Sequence, residues 1–148
     1  MFKATLIELF ERDLLKVKEE LRQYDTEAGI WEVRPGISNS AGNLTLHLIG
    51  NLQHFIGATL GQTGYVRRRE DEFALKFIAR ETLLSMLDDT IVVVKTSLDK
   101  LTSSDLEADF PLEKHGTIVS VTHMLLHLLA HLNYHLGQIN YHRRLIPG

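Results

Sequence analysis

The sequence predicts an all-α protein, a four-helix bundle with long connections between helices 1 and 2 and between helices 3 and 4. Two observations carry this. Apolar residues recur three and four positions apart in four separate stretches, the period of a helix with one buried face. Between the first and second stretches, and again between the third and fourth, the period lapses into Gly, Pro, Ser and charged residues. The chain has 148 residues. A chain of roughly 150 residues can bury about two thirds of its unfolded surface around one core, so residues 1–148 are read as a single domain.

The first helix is marked by Phe2, Leu6, Leu9, Phe10, Leu14, Val17 and Leu21, with Glu8, Glu11, Arg12, Lys16, Glu19 and Glu20 over most of the remaining surface. From Asp25 to Ser40 the pattern stops, and the cluster Ser38, Asn39 and Ser40 offers an N-cap for the next helix. That second helix runs from about Ala41 to Leu60, ending at Gly61 and Gly64. It is apolar around much of its circumference, and Gly50, Gly57 and Ala58 allow close approach, so it should be the most buried of the four. The third carries Leu84, Leu87, Ile91, Val94, Leu98 and Leu101, a heptad-like seam for which antiparallel packing is expected. Residues 103–116 form the other long connection. Thr117 or Ser120 can cap the fourth helix, which continues to about Leu145 before Pro147 and Gly148.

The totals exclude several classes of function. A net charge of −3 provides no general attraction for nucleic acid or for an anionic membrane surface. No stretch is apolar enough for a bilayer span or a signal peptide, which makes the cytoplasm the expected location. With no cysteine, strong metal ligands are limited to His, Asp and Glu, and any thiol chemistry must arrive on a small molecule.

The fourth helix contains the chemistry. Stepping three and four residues from Val121, its seam passes Met124 and Leu128 and then meets His131, His135, Gln138 and His142 where a bundle normally places leucine. A buried imidazole without partners costs free energy, so a row of them on a core-facing stripe requires an explanation: a metal ion is the first, ordinary core or helix-surface histidines the alternative. His131 and His135 lie on adjacent turns and can chelate together, whereas a four-residue step drifts about 40 degrees around the helix, which carries His127 and His123 away. A third ligand must come from another helix. His47 is the candidate, on a second polar stripe, Leu44, His47, Asn51, His54 and Ala58, in the most buried helix. Asn51 and Gln138 are available for hydrogen bonds behind the ligands. His54 lies two turns from His47 and is read as wall or packing. His115 and His142 are read as solvated or structural.

Weaker features have plain alternatives. Arg67, in the charged stretch from Tyr65 to Glu72, can hold an anionic substrate at the bundle mouth, or belong to a solvated loop with local ion pairs. Trp31, Tyr134 and Tyr141 can wall a pocket or simply pack. Arg143 and Arg144 suit a helix C-terminus.

The stretch Asn43-Leu-Thr-Leu-His47-Leu-Ile-Gly-Asn51-Leu, followed by His131-Leu-Asn-Tyr-His135-Leu-Gly-Gln138-Ile, resembles the DinB/YfiT-like superfamily of metal-dependent proteins. The resemblance extends over nearly the whole chain, through Gly57 and Gly61 to Arg67–Arg69 and Glu72-Phe73. It implies an up-and-down-type bundle with a crossed connection, a three-histidine divalent metal site and frequent homodimers. The superfamily's helix-two ligand falls on His47, and its terminal-helix ligands on His131 and His135. Characterised members include thiol S-transferases that use bacillithiol or mycothiol and a mycothiol-dependent isomerase.

Three neutral imidazoles leave coordination positions open for a substrate oxygen, a water or a thiol, and they suit zinc or nickel. The first reading is therefore a metal-dependent thiol S-transferase or hydrolase acting on a small molecule, with a low-molecular-weight thiol as a possible second cofactor. Candidate binding residues are Trp31, Asn51, Arg67 and Gln138. No carboxylate lies within the histidine stripes, which leaves His127 or His54 as candidate catalytic bases, or an ion that needs none. The alternative is a non-catalytic, metal-stabilised or small-ligand-binding dimer. A carboxylate-bridged di-iron site needs Glu-x-x-His pairs, and the sequence has none.

Overall fold

The stripe beginning at Phe2 winds into helix α1, Phe2–Arg22, which buries Leu6, Phe10, Leu14, Val17 and Leu21 and leaves Phe2 itself exposed at the helix end. The structure is a computed structural model and describes residues 1–146. Pro147 and Gly148, expected to follow the last helix, lie outside the described residues.

The other bundle helices are α3, Ala41–Leu52; α5, Arg80–Asp99; and α7, Val121–Leu145. Ser40 caps α3, its Oγ accepting from Asn43 N at 3.1 Å, and every residue from Ala41 to Leu52 is buried. Ser120, rather than Thr117, caps α7 by accepting from His123 N at 3.0 Å. Helix α3 does not run as an α-helix to Leu60. Over Gln53–Ala58 it widens into a π-helical turn, where His54 O accepts from both Thr59 N (3.1 Å) and Thr59 Oγ1 (3.0 Å). Three short helices lie in the connections: α2, Glu27–Ile30; α4, Arg69–Ala74; and α6, Ser103–Glu107. They are too short to produce a readable apolar period.

Helix α1 packs against α5 and α7, and α3 packs against the same two, so α1 and α3 stand on one diagonal and α5 and α7 on the other. Both connections expected to be long cross a diagonal, which accounts for their length. The connection at residues 59–79 is long as well, for a different reason. Close approaches between α3 and α5 advance in step, Gln53 to Thr90, Gly57 to Val93 and Gly61 to Ser97, so these neighbours run parallel. Contacts between α1 and α7, from Asp13 with Asn133 to Glu20 with Asn140, do the same. The uniformly antiparallel packing expected from the heptad pattern therefore does not occur. Parallel α3 and α5 require the chain to return along the full length of α3, and Asn43 pins that return by donating from Nδ2 to Glu72 O (2.9 Å) and Leu75 O (2.8 Å).

The core line of α7 is also rotated from the expected seam. Leu125, Leu128, Leu132, Leu136 and Ile139 are buried, whereas His131 and His135 are half-buried beside them and Gln138 is exposed. A straight helix has 3.6 residues per turn and drifts about 20 degrees per heptad from a strict 3.5 repeat, enough over this length to turn the histidines toward α3 and the surface.

Candidate metal centre

Helices α3 and α7 cross so that one nitrogen from each of His47, His131 and His135 lies within 4.8 Å of the others. His131 Nε2 is 3.2 Å from His47 Nε2 and 3.1 Å from His135 Nε2. Four ligands placed tetrahedrally about 2.0–2.1 Å from an ion stand about 3.4 Å apart, so this spacing suits one shared cation.

The protonation of the rings agrees with that spacing. His47 Nδ1 is 3.0 Å from Glu72 Oε1, and a carboxylate only accepts, so the proton of His47 is on Nδ1 and its Nε2 presents a lone pair. Arg67 Nη2, 3.4 Å from the same nitrogen, is a neighbour rather than a donor to it. His135 Nδ1 donates to Gln138 Oε1 at 2.7 Å, with the same consequence. At most one proton, on His131 Nε2, is left to serve two nitrogen–nitrogen contacts. His131 Nδ1 is buried without a partner. Burial, followed by the neighbouring His135 and His47, pushes the His131 pKa down to about 4, and burial lowers that of His47 despite Glu72. At neutral pH His47 and His131 are therefore uncharged, and the inner nitrogens of the three rings converge. The donor set fits a divalent ion, and these three residues could hold one.

No carboxylate lies within the histidine stripes, but one reaches His47 from another element. Glu72, on α4, is 5% exposed and lies behind His47. It accepts from Arg67 Nε at 2.9 Å and Nη2 at 3.0 Å, so its charge is paired. Because it faces Nδ1, it orients the ligand and cannot serve as a base on the open side. Its place depends on Gly50, where a Cβ would lie 1.8 Å from Glu72 Oε2. The sequence held two signals for this: Gly50 inside the most apolar helix, and the acidic run Glu70-Asp71-Glu72 directly after three consecutive arginines.

The remaining candidates separate. Asn51 and Arg67 line a cavity of about 330 Å³ that includes His47 and His131, and His127 forms part of its wall. Arg67 is largely committed to Glu72. Gln138 and His135 border a second cavity, about 420 Å³, with Tyr134 and Tyr141, so the triad is approached from two sides. Trp31 is elsewhere. Its ring lies over Gly42, where a Cβ would come within 2.6 Å of it, and it borders a third cavity with Phe77. The buried face of α3 captured it, and it does not wall the centre. His54 packs its ring against Phe55 at 4.7 Å and lines neither cavity at the triad. His123 is exposed, and His142 is buried between Tyr24 and the Glu32 carbonyl.

Comparison with known proteins agrees with this architecture. No curated protein matches the chain. Among solved structures, a DinB-like protein from Bacillus cereus ATCC 10987 superposes with a TM-score of 0.69 at 16% identity, covering 92% of this chain and 89% of that one. A conserved protein from Enterococcus faecalis superposes with a TM-score of 0.72 at 21% identity, covering 97% and 95%. These likenesses show the DinB-like fold. The sequence profile described as "Protein of unknown function (DUF1572)" matches residues 2–148, and the chain belongs to that family.

Proposed function

We propose that this protein is a divalent-metal-dependent enzyme of the thiol S-transferase or hydrolase class, with His47, His131 and His135 as its metal ligands. The observation that carries the reading is the convergence of three imidazole nitrogens, with two of the rings oriented from behind by Glu72 and Gln138. A zinc or nickel ion bound there would supply Lewis acidity, polarising a substrate oxygen or lowering the pKa of a bound water or thiol.

The chain's own residues set the conditions for that chemistry. Glu72 and Arg67 hold His47 in one tautomer, and Gln138 does the same for His135. Cavities on two sides admit a small molecule, and Asn51 and Arg67 among the walls favour a reacting site over a sealed structural one. His127 is the candidate base. Its pKa is lowered by burial and by Lys114, so it is neutral at physiological pH and able to accept a proton. A low-molecular-weight thiol would provide the sulfur that a cysteine-free chain lacks. In the same reading the protein is a homodimer, a state that light scattering in solution would test.

The deciding experiment is metal analysis of the purified protein, joined to thiol-transfer and hydrolysis screens with and without chelator. Stoichiometric metal with chelator-sensitive turnover is the expected result. Bound metal with no turnover across both screens would favour the non-catalytic bundle.

A further inference from the structure

We infer that the cavity on the His47 and His131 side is a binding site for a small organic anion, a carboxylate carried on an apolar body. This rests on the reading above, that the cavity is the substrate side of the metal centre. The chain as a whole carries a net charge of −3, yet the mouth of this cavity collects Arg69 and Lys114. Glu113 is the one acidic residue in the lining. Neither Arg69 nor Lys114 forms an ion pair among the described residues, whereas the nearby Arg67 is already paired with Glu72. The Arg69 guanidinium lies over the Phe73 ring at 5.4 Å, a contact to its face that leaves its N–H donors, like those of Lys114, for a ligand at the mouth.

The interior is of a different character. Phe55, Met124 and Leu128 form an apolar floor suited to a ring or a short chain. Between floor and mouth stands Asn51, only 8% exposed, whose Oδ1 is buried without a hydrogen-bond partner. Buried amides are nearly always paired, so an unpartnered acceptor on a cavity wall calls for a hydrogen-bond donor from outside the chain, a water beside the ligand or a hydroxyl on its apolar body, since the carboxylate itself only accepts. Lys114 is held at the mouth by a tight turn in which its N donates to Thr117 O at 2.7 Å and its O accepts from Thr117 N at 3.0 Å. His115 and Gly116, at φ +50° and +78°, form the tip. His115 reaches back toward His127, with ring centroids 6.4 Å apart. The turn thus lies beside α7, with Lys114 at its base.

The test is calorimetric titration with benzoate and with benzyl alcohol, its uncharged counterpart, near pH 7.5. Three proteins are compared, each with and without added zinc: wild type, Arg69→Gln/Lys114→Gln, and the charge-conserving Arg69→Lys/Lys114→Arg. Benzoate should bind wild type about tenfold or more tightly than benzyl alcohol, and the Gln pair should lose about tenfold of that affinity, as expected for charge-assisted hydrogen bonds. The charge-conserving pair should retain it, which separates a charge effect from misfolding. Zinc-free wild type should keep the preference. Equal binding of acid and alcohol, no binding of benzoate, or benzoate affinity unchanged in the Gln pair would overturn the inference. Benzoate binding that needs zinc but not Arg69 and Lys114 would overturn it while leaving the metal reading intact. Anion binding by a protein that never takes up metal would support it and sink the metal reading.

Discussion

Helix α7 carries histidines in two settings, and they differ in what the neighbouring elements offer each ring. At His142 both nitrogens are used. The Tyr24 hydroxyl donates to Nδ1 at 2.6 Å, and Nε2 donates to the Glu32 carbonyl at 2.8 Å. The ring is complete and ties the end of α7 to the first connection. At His131 and His135, two turns and more earlier, the inner nitrogens meet only one another and His47. The same residue type on the same helix is structural where it faces a hydroxyl and a carbonyl, and a candidate metal ligand where it faces other imidazoles. Burial alone does not distinguish the two, since His142, 3% exposed, is the more buried.

Substitutions can break this contrast, and the largest effect should come from the triad. His131→Ala or His47→Ala should abolish stoichiometric metal, measured by elemental analysis, while His142→Ala and His123→Ala should retain it. Equal loss at all four positions would contradict the geometry. In turn, His142→Ala should destabilise the metal-free fold by about 2–4 kcal/mol in denaturant titration, because it opens a cavity, leaves the Glu32 carbonyl unpaired and leaves the Tyr24 hydroxyl only its long contact to the Ile139 carbonyl, 3.5 Å. His123→Ala, on the exposed surface, should change stability little.

The next effect lies behind His47. Glu72→Gln should weaken metal affinity by about tenfold or more, since partners that orient a ligand commonly matter by that factor. Gly50→Ala should act in the same direction by displacing the Glu72 carboxylate, although it alters no group that touches the ligands. Competition with a chelating dye would measure both. Unchanged affinity in both variants would mean that Glu72 does not position His47.

A smaller effect should appear with pH. In metal-free protein the folded His131 pKa, pushed down from 6.5 to about 4 chiefly by burial, lies below that of the unfolded chain. Between those values the unfolded state binds the extra proton, so this ring's contribution is complete above about pH 6.5 and is lost as pH falls toward 4. The melting temperature of chelator-treated protein should drop over that window, and His131→Asn should flatten the drop. A wild-type profile no steeper than the variant's would show that the ring is not held neutral by burial. The smallest effect is expected from Gln138→Ala, a few-fold loss of metal affinity, because its exposed amide is replaceable by water.

The helices α1, α5 and α7 were legible because each has an apolar stripe long enough to show its period, although the stripe of α5 runs on to Leu101, past the helix end at Asp99. The pairing of His131 with His135 was legible from a four-residue step on one helix. Glu72 was not, since it is distant in sequence from every ligand and reaches His47 only because residues 59–79 double back along α3. Trp31 misled for the converse reason. An aromatic in a long connection suits a pocket wall as well as a core, and only the position of Gly42 settles which.

What the sequence determined by itself was local: the helices, their apolar faces, the absence of thiolate ligands and the two histidines one turn apart. These features come from periodicity and residue chemistry, which act over a few positions. Tertiary structure decided the rest: the parallel pairing of α3 with α5, the carboxylate behind His47, and the division of eight histidines into a converging triad and others that pack, hydrogen-bond or face solvent. Those outcomes depend on which groups meet across the bundle, and the return of the chain along α3 sets those meetings.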